Sequence, residues 1–137
     1  MEAKELMIGD WVINPIHNDC VKIEGVYFDK ELHSHVASDG RFPQIYFEAI
    51  PLTPEILNAN GWQKNDPHWV STLRRYCDKD GSKWSLSFTL QKGIWDAYIH
   101  NDGDLNINKF HPMYVHELQH ALRLCGLNDL ADNFKIS

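Results

Sequence analysis

Seven residues past the middle of the chain constrain the fold most. Trp84-Ser85-Leu86-Ser87-Phe88-Thr89-Leu90 alternates apolar and hydroxyl-bearing side chains without a break. Successive side chains of a strand point to opposite faces, so this run sorts its apolar groups onto one face and its hydroxyls onto the other. A helix would scatter the same residues around its axis. A sheet with one apolar face needs a cover, so the rest of the chain must supply partner strands and a lid.

The partners are read on either side. Trp69 to Tyr76 reads as a strand that reaches the turn Asp78-Lys79-Asp80-Gly81. Gln91-Lys92-Gly93 turns into a strand from Ile94 to His100, and Asn101-Asp102-Gly103-Asp104 turns again into Leu105-Asn106-Ile107. The two Asp- and Gly-rich turns lack the closing Glu and the flanking helices of a calcium loop, so they read as hairpin turns. The expected apolar face carries Trp84, Leu86, Phe88, Leu90, Trp95, Ala97 and Ile99.

The lid is a helix from about Pro112 to Cys125, stopped by Gly126. At about 100° per residue, Val115, Leu118, Ala121, Leu122 and Cys125 fall on one arc that should face the sheet. His116, His120 and Arg123 project from nearly the opposite side, which is expected to be solvated. The tail that follows is too short for a second packed helix.

Upstream, short strands are expected. Leu6 to Ile13 begins them and Asn14-Pro15 breaks the run; Val21 to Phe28 follows, then His33 to Ala37 and Gln44 to Phe47 around the turn Ser38-Asp39-Gly40. Pro43 confines its strand to an edge or to the strand's start. This pattern suggests a small SH3-like barrel or curled sheet. Pro51-Leu52-Thr53-Pro54-Glu55 then starts a connector helix: Thr53 caps, Pro54 takes the first helical position, and Asn60-Gly61 ends it. The chain is therefore read as α+β, with a β-rich subdomain over 1–50 and an α+β subdomain over 51–137 that together form one compact unit.

Composition limits the function. The net charge is −6 with a pI of about 5.7, which speaks against a nucleic-acid binder; the densest basic run is Arg74-Arg75 with Lys79 and Lys83 nearby, as on a solvated strand edge. Three widely spaced cysteines, Cys20, Cys77 and Cys125, suit a reducing compartment. The first residues carry no apolar leader pattern and no stretch reads as a membrane span. The expected setting is cytoplasmic.

One motif points to chemistry. His116-Glu117-Leu118-Gln119-His120 matches the zinc-hydrolase pattern in which two His at i and i+4 share a metal and the Glu deprotonates a bound water. On this reading His116 and His120 are zinc ligands and Glu117 is the base. Against it, the positions where a longer motif would place Gly and His hold Arg123 and Gly126, and no Glu follows Glu117. Arg123, one turn beyond His120, sets a cation beside the proposed dication.

Other candidates are weaker. His33-Ser34-His35 on a strand would put both rings on one face, an arrangement that binds metal only rarely. The aromatic surplus leaves Trp11 and Trp62 as candidates for a binding surface, while Trp69, Trp84 and Trp95 are expected to fill the sheet–helix interface.

Three segments in order carry a resemblance: Glu5-Leu6-Met7-Ile8-Gly9-Asp10-Trp11-Val12, then Ile50-Pro51-Leu52-Thr53-Pro54-Glu55-Ile56-Leu57, then Tyr114-Val115-His116-Glu117-Leu118-Gln119-His120-Ala121-Leu122. The chain resembles a group of uncharacterised small proteins from Bacteroides-type bacteria, their prophages and mobile elements. The resemblance implies an accessory protein of such origin and supplies no catalytic residues, since members often carry Gln and Asn where this chain has Glu117 and His120. The reading that results is a non-enzymatic module that binds a protein or a small ligand, with no cofactor. The alternatives are a zinc-dependent metallohydrolase and a nucleic-acid contact protein.

Overall fold

The computed structural model describes residues 1–41, 43–64, 72–102 and 107–136. The long alternating run is the second strand of a four-stranded antiparallel sheet. β5 (Thr72–Lys79), β6 (Ser82–Gln91), β7 (Ile94–Asn101) and β8 (Ile107–Phe110) lie side by side in that order. They follow β1 (Trp11–Asn14), β2 (Asp19–Lys22), β3 (Gly25–Asp29) and β4 (Ser34–Ser38) in the chain. Register sets Leu86 opposite Ile99, Phe88 opposite Ala97 and Leu90 opposite Trp95, so the expected apolar side chains share a face. The turns that join β5 to β6 and β6 to β7 are two residues long. Asp80 and Gly81 have φ of 53° and 78°, and Lys92 and Gly93 have 52° and 77°. Positive φ at both central positions is the hairpin geometry whose twist matches the strands. The third turn lies partly outside the described residues, as do Trp69 and Leu105.

Helix α2 (Val115–Leu124) covers the sheet. Val115, Leu118, Ala121 and Leu122 are buried in one cluster with Leu86, Phe88, Trp95 and Ile99, as the arc requires. Gly126 ends the turn with φ 77°. The connector is α1 (Pro54–Ala59), where Thr53 Oγ1 accepts from the Ile56 N–H at 3.2 Å. The chain just before it is stitched to the lid: Val115 N–H donates to Ile50 O, Leu52 N–H to Met113 O, and Trp95 Nε1–H to Leu52 O. The tail departs from expectation. Asn128–Asp132 forms a short helix, α3, and Leu127, Ala131 and Phe134 join the core. Three apolar residues at near-helical spacing gain enough burial to order a segment that is too short to be stable alone.

The first fifty residues build a smaller unit. β1 pairs with β2 and β3 with β4, in two separate antiparallel ladders. Ile23 and Glu24 separate β2 from β3, where the sequence suggests one strand. Isolated bridges join Ile13 to Glu48, Ala37 to Gln44 and Glu2 to Tyr46. The described residues form no closed barrel, only a curled set of hairpins around Ala3, Leu6, Val12, Ile23, Ala37 and Phe47. No helix among the described residues is long and apolar enough to cross a membrane.

Candidate functional site

The outer face of α2 is partly covered. It faces the turn that leads into β1, and Asp10 comes from that turn to meet it. Asp10 is completely buried. Its Oδ1 accepts from Arg123 Nη1 at 2.6 Å, and its Oδ2 lies 2.6 Å from His120 Nε2 and accepts from the Met7 N–H at 2.8 Å. The expectation that His116, His120 and Arg123 point to solvent is therefore corrected. Helical spacing fixes which side of α2 they occupy, but not what the first fifty residues place there.

Gln119 is the centre of the same contact. Its side chain is fully buried. Oε1 accepts from the Trp11 N–H at 2.9 Å, and Nε2 donates to Gly9 O at 2.8 Å and Ala131 O at 3.0 Å. One amide thus satisfies backbone groups from both ends of the chain, which would otherwise be buried and unpaired. Gly9 permits the approach. Its φ is 93°, and a Cβ there would lie 2.9 Å from Arg123 Nη2. Trp11 completes the clasp by donating from Nε1 to Phe134 O at 2.6 Å, while Lys22 lies over its ring.

Glu117 has a local task. One oxygen accepts from the backbone N–H groups of Met113 and Tyr114, at 3.0 and 3.1 Å. This is the backward half of a capping box, and it satisfies donors that the first helical turn leaves free. His116 is 9% exposed. Its ring stacks on Tyr114 and meets His120 edge-on at 5.6 Å between centroids. Its Nδ1 is buried and accepts or donates no hydrogen bond among the described residues. Burial holds its pKa below the ordinary histidine value; the negative charge of Asp10 opposes this and His120 adds to it.

His116, Glu117 and His120 line one open cleft of about 600 Å³ with Glu5, Tyr46 and Glu48. The motif residues are brought together, and His120 and Glu117 each engage another group. His120 Nε2 is committed to Asp10, both Asp10 oxygens are shared with other donors, and Glu117 caps the helix. No group of three or more His, Cys, Asp or Glu side chains among the described residues is arranged to hold a metal.

The other candidates are dispersed. Trp62 is fully buried, edge-on to Phe88 at 5.4 Å, and has no surface to offer a partner. Trp11 is half-buried and spent on the clasp. His33 has φ 51° and sits in the turn before β4, so it does not share a strand face with His35. Both nevertheless line a small cleft of about 260 Å³ with Phe28 and Ile45.

Asp10 and Gln119 are the functional-site residues that motif reading misses. A signal for Asp10 existed: a lone acid between Ile8-Gly9 and Trp11-Val12, in a chain whose helix carries an unmatched Arg. Comparison with protein-family models, with curated proteins and with solved structures gives no match to this chain.

Proposed function

We propose that the chain is a non-enzymatic interaction module whose zinc-hydrolase letters serve as an internal clasp. The observation that carries this reading is the contact of Asp10 with His120 and Arg123, at 2.6 Å each. A hydrolase would need His120 free for a metal and Glu117 free for a water; here the first contacts a buried carboxylate and the second caps its own helix. The family that the sequence resembles fits this use. Gln in place of Glu117 can still accept from the cap N–H groups, and Asn in place of His120 can still donate to a carboxylate. An accessory role in a phage or mobile element is the setting that the resemblance implies.

The surface proposed for a protein partner is the second hairpin. Phe28 and Ile45 are 53% and 54% exposed and line one cleft. Large apolar groups gathered on a surface mark interaction sites more often than isolated ones do.

Two measurements test the proposal. Elemental analysis of untagged protein is expected to find no stoichiometric zinc; one zinc per chain, lost in His116→Ala/His120→Ala, refutes the clasp reading. Phe28→Ser/Ile45→Ser is expected to abolish partner capture from the native host while leaving the melting temperature unchanged. Undiminished capture moves the interaction surface elsewhere.

A further inference from the structure

Strand β5 carries two cations on its core side. Arg75 stands opposite Leu86 and Cys77 opposite Trp84, so Leu73, Arg75, Cys77 and Lys79 share the inner face while Arg74, Tyr76 and Asp78 face out. Alternation would place apolar groups at all four inner positions. Here the inner face opens instead into a cleft of about 650 Å³, between the end of α1, β5 and the turn from α2 to α3.

Two of the cations have side-chain contacts in the cleft, and a third is brought to its rim by its backbone. The Arg75 guanidinium lies over the Trp62 ring at 5.4 Å and donates from Nη1 to Asn60 O. The Lys79 ammonium lies against bare backbone, since a Cβ at Gly126 would be 3.1 Å from its Nζ. Lys135 arrives from the far end of the chain. Its N–H donates to Asn60 Oδ1, and its carbonyl accepts from Asn60 Nδ2, both at 2.7 Å.

None of the three is neutralised. Arg75 meets a carbonyl, and the side chains of Lys79 and Lys135 form no ion pair or hydrogen bond among the described residues. Asp78 and Asp129 also line the cleft, but Asp78 belongs to the outer face opposite Lys83, and Asp129 is exposed in the first turn of α3. Burial raises the Cys77 pKa, so its thiol brings no negative charge to the floor. Arg75 and Lys79 are half-buried and Lys135 is exposed; the two cations partly withdrawn from water without a counter-charge favour a ligand that supplies one. Charges on the inner side of an edge strand also discourage edge-to-edge pairing. That role asks for no cleft, and for no third cation from another segment.

We propose that this cleft binds a small phosphate-bearing molecule. Arg75, Lys79 and Lys135 hold its anionic group, and Asn128 and Asn133, which line the same cleft, face its uncharged remainder. The volume suits a ligand of nucleotide size.

Calorimetric titration of the whole chain with inorganic pyrophosphate and with adenosine diphosphate tests this, citrate serving as a phosphate-free polyanion. Pyrophosphate is expected to bind, with affinity falling about tenfold in Lys79→Gln and again in Lys135→Gln, the loss of one charge-assisted hydrogen bond each. Absence of binding by both phosphate probes, equal binding of citrate, or unchanged affinity in the double variant overturns the proposal. A second measurement needs no variant. Saturating pyrophosphate is expected to slow iodoacetamide labelling of Cys77, read by mass spectrometry, and to leave the exposed Cys20 unaffected. Equal labelling of Cys77 with and without pyrophosphate also overturns it.

Discussion

The two ends of the chain are held together by different physics. Residues from Ile50 onward bury a contiguous apolar cluster in which Trp62, Phe88, Trp95, Leu118 and Leu122 are in contact through sheet and lid. The first fifty residues bury only a small set, with Phe47 its largest member. A unit of that size gains little from its own core. It is secured instead from outside, through the Asp10 contact, the Gln119 amide and the Trp11 indole, with Trp11 and Ile13 packed against the larger core. The difference teaches that α2 has two functional faces. One supplies burial energy, which is tolerant of detail. The other supplies polar pairing, which fixes how the small unit sits and fails sharply if one partner is lost.

The comparison breaks most directly at Asp10. Asp10→Ala removes the buried carboxylate between Arg123 and His120, leaving Arg123 only the longer contact to Asp132 at 3.4 Å, and is expected to cost about 4 kcal/mol in urea unfolding. Leu118→Ala is expected to cost a similar amount, about 3 kcal/mol, through a cavity. Hydrogen exchange separates the two. Asp10→Ala should release the amides of β1 and β2 first while β6 and β7 keep their protection; Leu118→Ala should weaken β6 and β7. Loss of protection in the same order for both variants removes the distinction between the two faces.

A smaller effect tests the polar face by pH. Burial holds the folded-state pKa of His116 below the ordinary value of 6.5. Between the two values the unfolded chain binds more protons, so stability falls as pH drops below 6.5 and levels off below the folded value. Urea midpoints between about pH 5 and about pH 8 should therefore decline on the acid side, and His116→Phe should flatten part of that decline. A profile identical in the variant removes His116 from the account. The smallest effect is at Glu117. Glu117→Ala should cost about 1 kcal/mol as the lost cap, and Glu117→Gln should be close to neutral in the melting temperature, because an amide oxygen still accepts both N–H groups.

Much of the larger unit is legible in the sequence because its determinants are local. Trp84 to Leu90 announces its face by alternation, Thr53-Pro54 announces a helix start by chemistry, and Asp80-Gly81 announces a hairpin by permitted φ. The smaller unit is less legible. A break at Ile23-Glu24 splits a run that reads as one strand, and nothing local reveals whether hairpins close into a barrel or remain open. The short helix α3 is hidden for the same reason: Leu127, Ala131 and Phe134 order it only because a core lies beside them.

The motif on α2 divides along this line. The amino-acid sequence by itself determined that His116, Glu117 and His120 share one side of a helix and that the apolar arc takes the other, because helical periodicity is a property of the segment. Only the tertiary structure decided what those side chains do. Asp10 lies 110 residues from His120 in the chain and 2.6 Å from it in space. A pairing at that separation leaves no trace in spacing, since it depends on how segments distant in the chain meet.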